Sequence, residues 1–303
     1  MLFIICHALS ENHSNKIFQT IISSAITISC IGIYQFFFDF QNTLDYLNTH
    51  KMVDPLITQF IQQKRIYAVM ITPNALGGYL TMLVPLVLFL KNKFWILPIA
   101  IALILTKSIG AILALLLIFP FYVYQRRLFN PSIFLIFLNI ILIIIGIMAW
   151  RSQTHINIFN LEFSLEMRWS YWKETWAIIQ AHPFSGIGLG NFNLTNTRYS
   201  HNIFLQLWAE TGLAGILSFL YMITTILYKI WDIIKINDNP AHITALFFAI
   251  IIFLVHNMID FTFYIPEISL IWCIILGLAC NQSSKMNGGA MPDEKNLNPT
   301  KTS

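Results

Sequence analysis

The chemistry-bearing residues of this chain gather late in its sequence. His201 stands beside Asn202, three residues after Arg198, with Glu210 a little further on. A neutral imidazole can accept a proton from an attacking hydroxyl near pH 7. A lone histidine at a helix entrance also serves as a cap or an interface residue, so His201 alone decides nothing. Arg65, Arg168 and Arg198 are candidate anion binders, because a guanidinium stays charged and grips phosphate oxygens in pairs. Their plainer reading is snorkelling at a membrane surface. Glu210 lies within an apolar run, where an ionisable side chain marks function or a structural ion partner. His256 and Asp260 are four apart and read best as a helix-end pair that holds the fold. Gly186, Gly188 and Gly190 give G-x-G-x-G rather than a dinucleotide fingerprint, and no strand precedes them. Those glycines read as positions needing positive φ or close backbone approach. No HExxH, Cys/His zinc spacing or acidic metal pair occurs, which points to chemistry without a metal or other cofactor.

These residues must be positioned by elements that are overwhelmingly apolar. The chain has 303 residues, 56% of them hydrophobic and 11% charged, with a mean hydropathy of +0.66. A soluble domain carries about 25% charged residues, so the composition indicates an all-α polytopic membrane protein. The net charge of +4 is too small to suggest nucleic acid. Cys6, Cys30, Cys273 and Cys280 sit in or beside apolar runs and outline no disulfide framework. The start of the chain is apolar but short, with no basic region or small-residue cleavage site, and does not read as a cleaved signal.

A spanning helix needs about 20 mostly apolar residues. The expected spans are Ile17–Phe38, Thr72–Leu90, Phe94–Thr106, Ser108–Tyr124, Ile133–Trp150, Ile203–Tyr228, Ile243–Ile259 and Ile265–Cys280, eight in all. Two of them are separated by a tight turn at Lys107, because one long helix there would bury that lysine in lipid. Lys16, Lys91, Lys93, Arg126, Arg127, Lys229 and Lys235 then fall on one side, which the positive-inside rule makes cytoplasmic. Residues 1–280 form one transmembrane domain with long outer loops at 39–71 and 151–202, and residues 281–303 read as a disordered cytoplasmic tail. Within the second loop an amphipathic helix is expected over Leu165–Ala181. Its Trp169, Trp172, Trp176 and Ile179 share a face suited to the membrane surface. His182-Pro183 ends it.

Three blocks carry a family resemblance: RWSYWKETWAIIQAHPFSGIGLGNF (residues 168–192), HNIFLQLWAETGLAG (201–215) and HNMIDFTFYIP (256–266), with a weaker fourth, RIYAVMITPNALGGYL (65–80). Together they resemble the O-antigen ligase and polymerase superfamily, bacterial membrane glycosyltransferases acting on polyprenyl-diphosphate saccharides. The resemblance implies a GT-C-like helical fold and an active periplasmic loop in the inner membrane. It also implies metal-independent, inverting transfer of a saccharide from a polyprenyl diphosphate to an acceptor hydroxyl. On it, Arg168, Arg65 and Arg198 would hold the diphosphate, and His201 would orient or deprotonate the acceptor. Asn202 and Glu210 would assist at the glycan, and His256 and Asp260 would stand behind them. Lipid A-core as acceptor makes a ligase, another lipid-linked glycan a polymerase, and a protein hydroxyl an O-oligosaccharyltransferase; the His201 block leans towards the ligase. A flippase or an inactive partner subunit are the non-enzyme readings, and no internal repeat supports the flippase. Two departures stand out. Only one clear span precedes the block at 65–80, as in a shortened member. Ile109 also stands where many relatives have the arginine of Ser-Arg-Gly, leaving Lys107 to supply any contact.

Overall fold

A computed structural model describes residues 11–50, 55–90, 92–126, 161–237 and 240–288. The expected span at Ile133–Trp150, residue Arg151 and most of the tail lie outside these residues. The described residues are all-helical, with no strand. In chain order they form α1 (Glu11–Tyr34), a π-turn (Gln35–Asp39), α2 (Phe40–Thr49), α3 (Pro55–Gln62), α4 (Pro73–Phe89), α5 (Ile96–Thr106), α6 (Ile109–Gln125), α7 (Leu161–Ala181), α8 (Ile203–Ile236), α9 (Ala241–His256) and α10 (Pro266–Gly288). Two stretches are long and apolar enough to cross a membrane, His13–Thr49 (37 residues) and Ile203–Ile236 (34 residues); the other apolar helices are shorter.

The centre of the bundle is α4 against α9. Both are buried along nearly their whole length. Between apolar helices in lipid, association depends on close packing rather than on exclusion of water, and glycines supply the closeness. A Cβ on Gly78 would sit 2.5 Å from the His256 ring, and one on Gly77 would sit 2.7 Å from Ser108. Helix α4 starts sharply because Pro73 follows the cap Thr72, whose hydroxyl accepts from the Ala75 amide at 3.0 Å. Helix α6 packs against both α4 and α9, and α1 packs against α5.

The turn expected at Lys107 is present. Helix α5 ends at Thr106, Lys107 takes a left-handed conformation (φ 51°), and Ser108 caps α6. The lysine itself departs from expectation: it is buried, and its ammonium donates to the Gln63 carbonyl at 2.6 Å. A carbonyl partner makes that burial tolerable. The segment 64–71 is tied inward from two sides. The Ile66 amide donates to the Leu105 carbonyl (3.2 Å), and the buried Gln35 side-chain oxygen of the π-turn accepts from the Tyr67 and Ala68 amides, each at 2.9 Å.

Helix α8 extends beyond the expected Tyr228, to Ile236, and it is broken at Gly212 (φ 72°, ψ −174°). That break frees backbone groups, and the loop after α7 takes them. The Ala209 and Glu210 carbonyls accept from the Ile187 and Gly188 amides, both at 2.9 Å, and the Leu213 amide donates to the Pro183 carbonyl at 3.0 Å. The Trp208 indole donates to the same Pro183 carbonyl at 3.0 Å. Gly186, Gly188 and Gly190 all have positive φ here. A small apolar core of Ile179, Phe192, Leu194 and Ala209 closes the joint.

Candidate functional site

Arg168 lies on α7, one turn after Ser164. Its Nε donates to the Ile259 carbonyl at 2.8 Å, and one Nη donates to the Ser164 carbonyl at 3.1 Å and to the Ser164 hydroxyl. Its other Nη stands 3.8 Å from the Asp260 carboxylate. That carboxylate is itself buried and accepts from the Phe261 amide at 2.8 Å. The guanidinium is thus fixed by groups from α7 and from the turn after α9.

Arg65 reaches the same place from the first half of the chain. It is buried, with Nε donating to the Thr106 carbonyl (2.9 Å) and an Nη to the Asn74 side-chain oxygen (2.7 Å). Arg65 and Arg168 line one cavity of about 430 Å³, together with Asn74, Gly110, Trp169 and Trp172. Ile109, Leu113, Leu165 and Ile259 also line it, so its wall is cationic on one part and apolar or aromatic elsewhere. The Trp face of α7 is therefore not a simple membrane-facing stripe. Trp169 remains largely exposed while lining the cavity, Trp176 meets Trp208 edge to face, and Ile179 is buried. Ile109 lines the wall, whereas Lys107 is not among the lining residues.

His201 sits to one side of the cavity rather than in its wall. It adopts a left-handed conformation (φ 55°), which costs a non-glycine residue about 1 kcal/mol or more. A tight turn holds it. The Asn202 amide donates to the Ser200 hydroxyl (3.1 Å), which donates to the Asn202 carbonyl (2.7 Å). The ring stacks on Tyr171 (5.6 Å between centroids) and meets Phe261 edge-on (4.8 Å). Nδ1 is sealed without a hydrogen-bond partner. Burial lowers the imidazole pKa to about 4; nearby Asp260 pulls it back up and Arg168 pushes it further down. His201 is therefore neutral at physiological pH.

The remaining candidates divide. Asn202 is the N-cap of α8, its side-chain oxygen accepting from the Phe204 and Leu205 amides at 3.0 and 3.1 Å. Glu210 is buried beside the α8 break and accepts from Gln206 at 3.0 Å. Neither lines the cavity, and Arg198 is exposed on the loop, also outside it. His256 is fully buried behind Gly110 and Ile259. Asn74 and the Ile259 carbonyl, which hold the two arginines, were not singled out for such a role in the sequence; Asn74 stood in the weak fourth block, and a carbonyl leaves no sequence signal. Among the described residues, no group of three or more His, Cys, Asp and Glu side chains is arranged to hold a metal ion.

A family model described as O-antigen ligase matches residues 94–220, less than half of the chain. The matched span includes Arg168, the glycine loop, His201 and the α8 break. Over that span the chain is similar to the O-antigen ligase family. That similarity points to a glycosyltransferase-type enzyme that works on lipid-linked glycan in a membrane. Arg65, His256 and Asp260 lie outside the matched span, and the fold brings all three up to Arg168 or to the cavity it lines. Among curated proteins and solved structures, no match to the chain was found.

Proposed function

We propose that this protein is an O-antigen ligase-like transferase, moving a saccharide from a polyprenyl diphosphate to a lipid A-core hydroxyl on the periplasmic face of the inner membrane. One observation carries the reading: Arg65 and Arg168, far apart in sequence, converge on a single cavity whose other walls are mostly aromatic and aliphatic. That pairing suits a ligand with a doubly anionic centre attached to a hydrocarbon chain. The guanidinium groups take the diphosphate oxygens and stabilise the charge that builds as the diphosphate leaves. Trp169, Leu165 and Leu113 provide the surface for the lipid side.

Helix α7 carries both Arg168 and Tyr171, and Tyr171 stacks on His201, so the donor anion and the imidazole lie on neighbouring surfaces of one helix. A neutral His201 with Nδ1 sealed presents Nε2 to the acceptor. It accepts the hydroxyl proton's hydrogen bond and aims the oxygen at the anomeric carbon. Attack opposite the leaving diphosphate inverts that carbon. Asp260 is a positioning residue that holds Arg168, and Asn202 and the turn around it hold His201 in place. Arg198, on the exposed loop, attracts the anionic donor.

The test is a surface-glycan gel of a strain lacking the gene, complemented with wild type, Arg168→Ala or His201→Ala. The ligase reading expects wild type to restore glycan-bearing lipid A-core. Both variants should fail, with long polymer accumulating on its carrier. Core carrying single repeats would make the protein a polymerase, and an unchanged ladder in the deletion would remove both readings.

A further inference from the structure

Behind the cavity wall lies an acceptor atom with no partner, and the hydrogen bonds around it fix its chemistry. The Asn257 side-chain oxygen receives the Phe263 amide (2.7 Å), and the Asn257 amide group donates to the Phe253 carbonyl (2.9 Å), so the orientation of that side chain is set. The Thr262 hydroxyl therefore donates its only proton to the same Asn257 oxygen, at 3.0 Å. Thr262 Oγ1, 3.3 Å from His256 Nδ1, is left to accept, so Nδ1 carries the imidazole proton. His256 Nε2 is then a bare lone pair, in a side chain with no exposed surface and with no partner among the described residues. An acceptor left this way costs about 1–3 kcal/mol, and such a group in a native fold calls for an explanation.

Its position supplies one. A Cβ built on Gly110 would stand 4.0 Å from Nε2 and 3.1 Å from the Ile259 side chain. Gly110 and Ile259 both line the arginine cavity. The Gly110 backbone and the Ile259 side chain stand between Nε2 and that space. Ile259 joins the two poles, since its carbonyl holds Arg168 and its side chain flanks Gly110.

We propose that His256 Nε2, reached past Gly110, is a specificity-determining acceptor for a hydroxyl or amide N–H of the sugar attached to the diphosphate. This rests on the donor reading above. With the diphosphate on the arginines, the lipid side offers no hydrogen-bond donor, whereas the first sugar carries several next to its anomeric phosphate. The site thus reads the sugar as well as its carrier, and Gly110 keeps the way open.

The experiment measures binding to the purified full chain in nanodiscs. The two probes are a polyprenyl diphosphate and the same lipid bearing one N-acetylhexosamine. The variants are His256→Asn, His256→Gln, Gly110→Ala and Arg168→Ala. Asparagine keeps a donor near Nδ1 and removes the Nε2 acceptor; glutamine keeps a polar atom near Nε2. Wild type should favour the sugar-bearing lipid by about 5- to 10-fold, the effect of one hydrogen bond. His256→Asn should erase that preference while binding the bare lipid normally, Gly110→Ala should also erase it, and His256→Gln should retain part of it. The proposal is overturned if His256→Asn, still folded by thermal unfolding, keeps the full preference. It is equally overturned if His256→Asn weakens both lipids alike, as it would were Nε2 occupied by a resident water. If Arg168→Ala leaves both lipids bound as in wild type, the donor reading fails and takes this subsite with it.

Discussion

His201 shows how position alters the chemistry that a residue type suggests. Its sequence context offered an imidazole near pH 7, but the folded side chain is wedged between Tyr171 and Phe261 and its pKa falls to about 4. A base that weak before substrate arrives suits orienting a hydroxyl better than removing its proton outright; a bound diphosphate nearby would raise its basicity only when the donor is in place. The shift has a thermodynamic consequence. Below its ordinary value of 6.5 the unfolded chain takes up a proton at His201 while the folded protein does not, so folded stability is lost as pH falls from 6.5 towards 4. His201→Gln lacks this term. Thermal unfolding of the two proteins without substrate should give a constant difference above pH 6.5. Towards pH 4 the difference should move in favour of the variant, by at most about 3 kcal/mol. A difference that stays flat throughout would show that His201 titrates normally.

At the scale of elements, the joint between the glycine loop and the break in α8 is what orders the second half of the site. Its outline was legible beforehand. The glycine spacing excluded a nucleotide loop and indicated positive φ, and His182-Pro183 marked the end of α7. The break at Gly212 was not legible, because a single glycine inside a long apolar helix is tolerated and its conformation depends on the loop docked against it. Gly212 has φ and ψ accessible essentially to glycine alone, and a Cβ there would stand 2.0 Å from the Phe184 carbonyl. Gly190 also has positive φ, yet nothing lies within 4 Å of its added Cβ. Gly212→Ala should therefore cost more than about 3 kcal/mol and Gly190→Ala only about 1 kcal/mol, compared by thermal unfolding in one detergent. Equal costs would mean that the joint is not close-packed. The helix α7 was legible as an element, but its Trp face could not be assigned to lipid or protein from periodicity alone, because both surfaces select the same apolar stripe.

At the scale of the whole molecule, the all-helical architecture, the turn at Lys107 and the family resemblance were open to a reader of the sequence, because apolar length, glycines and short motifs are local signals. The cavity was not, because its cationic wall is assembled from residues far apart in the chain. Arg65 is delivered by the segment tied beneath the π-turn, Arg168 by α7, and the carbonyl that holds Arg168 by the turn after α9. The span count and the outer placement of the loops follow from hydropathy and charge, and they are part of the proposal that puts this cavity on the periplasmic side. The central claim is that the two arginines act together on one diphosphate. It is tested most directly by equilibrium binding of a polyprenyl diphosphate to the purified protein, with Arg65→Lys, Arg168→Lys and the double variant beside wild type. A lysine keeps the charge but cannot hold the carbonyl partners and grip phosphate in a fork at once. Each single variant should bind at least about 10-fold more weakly, and the double variant should lose less than the sum of the two, because both act on one ligand. Wild-type affinity in both single variants would contradict the account.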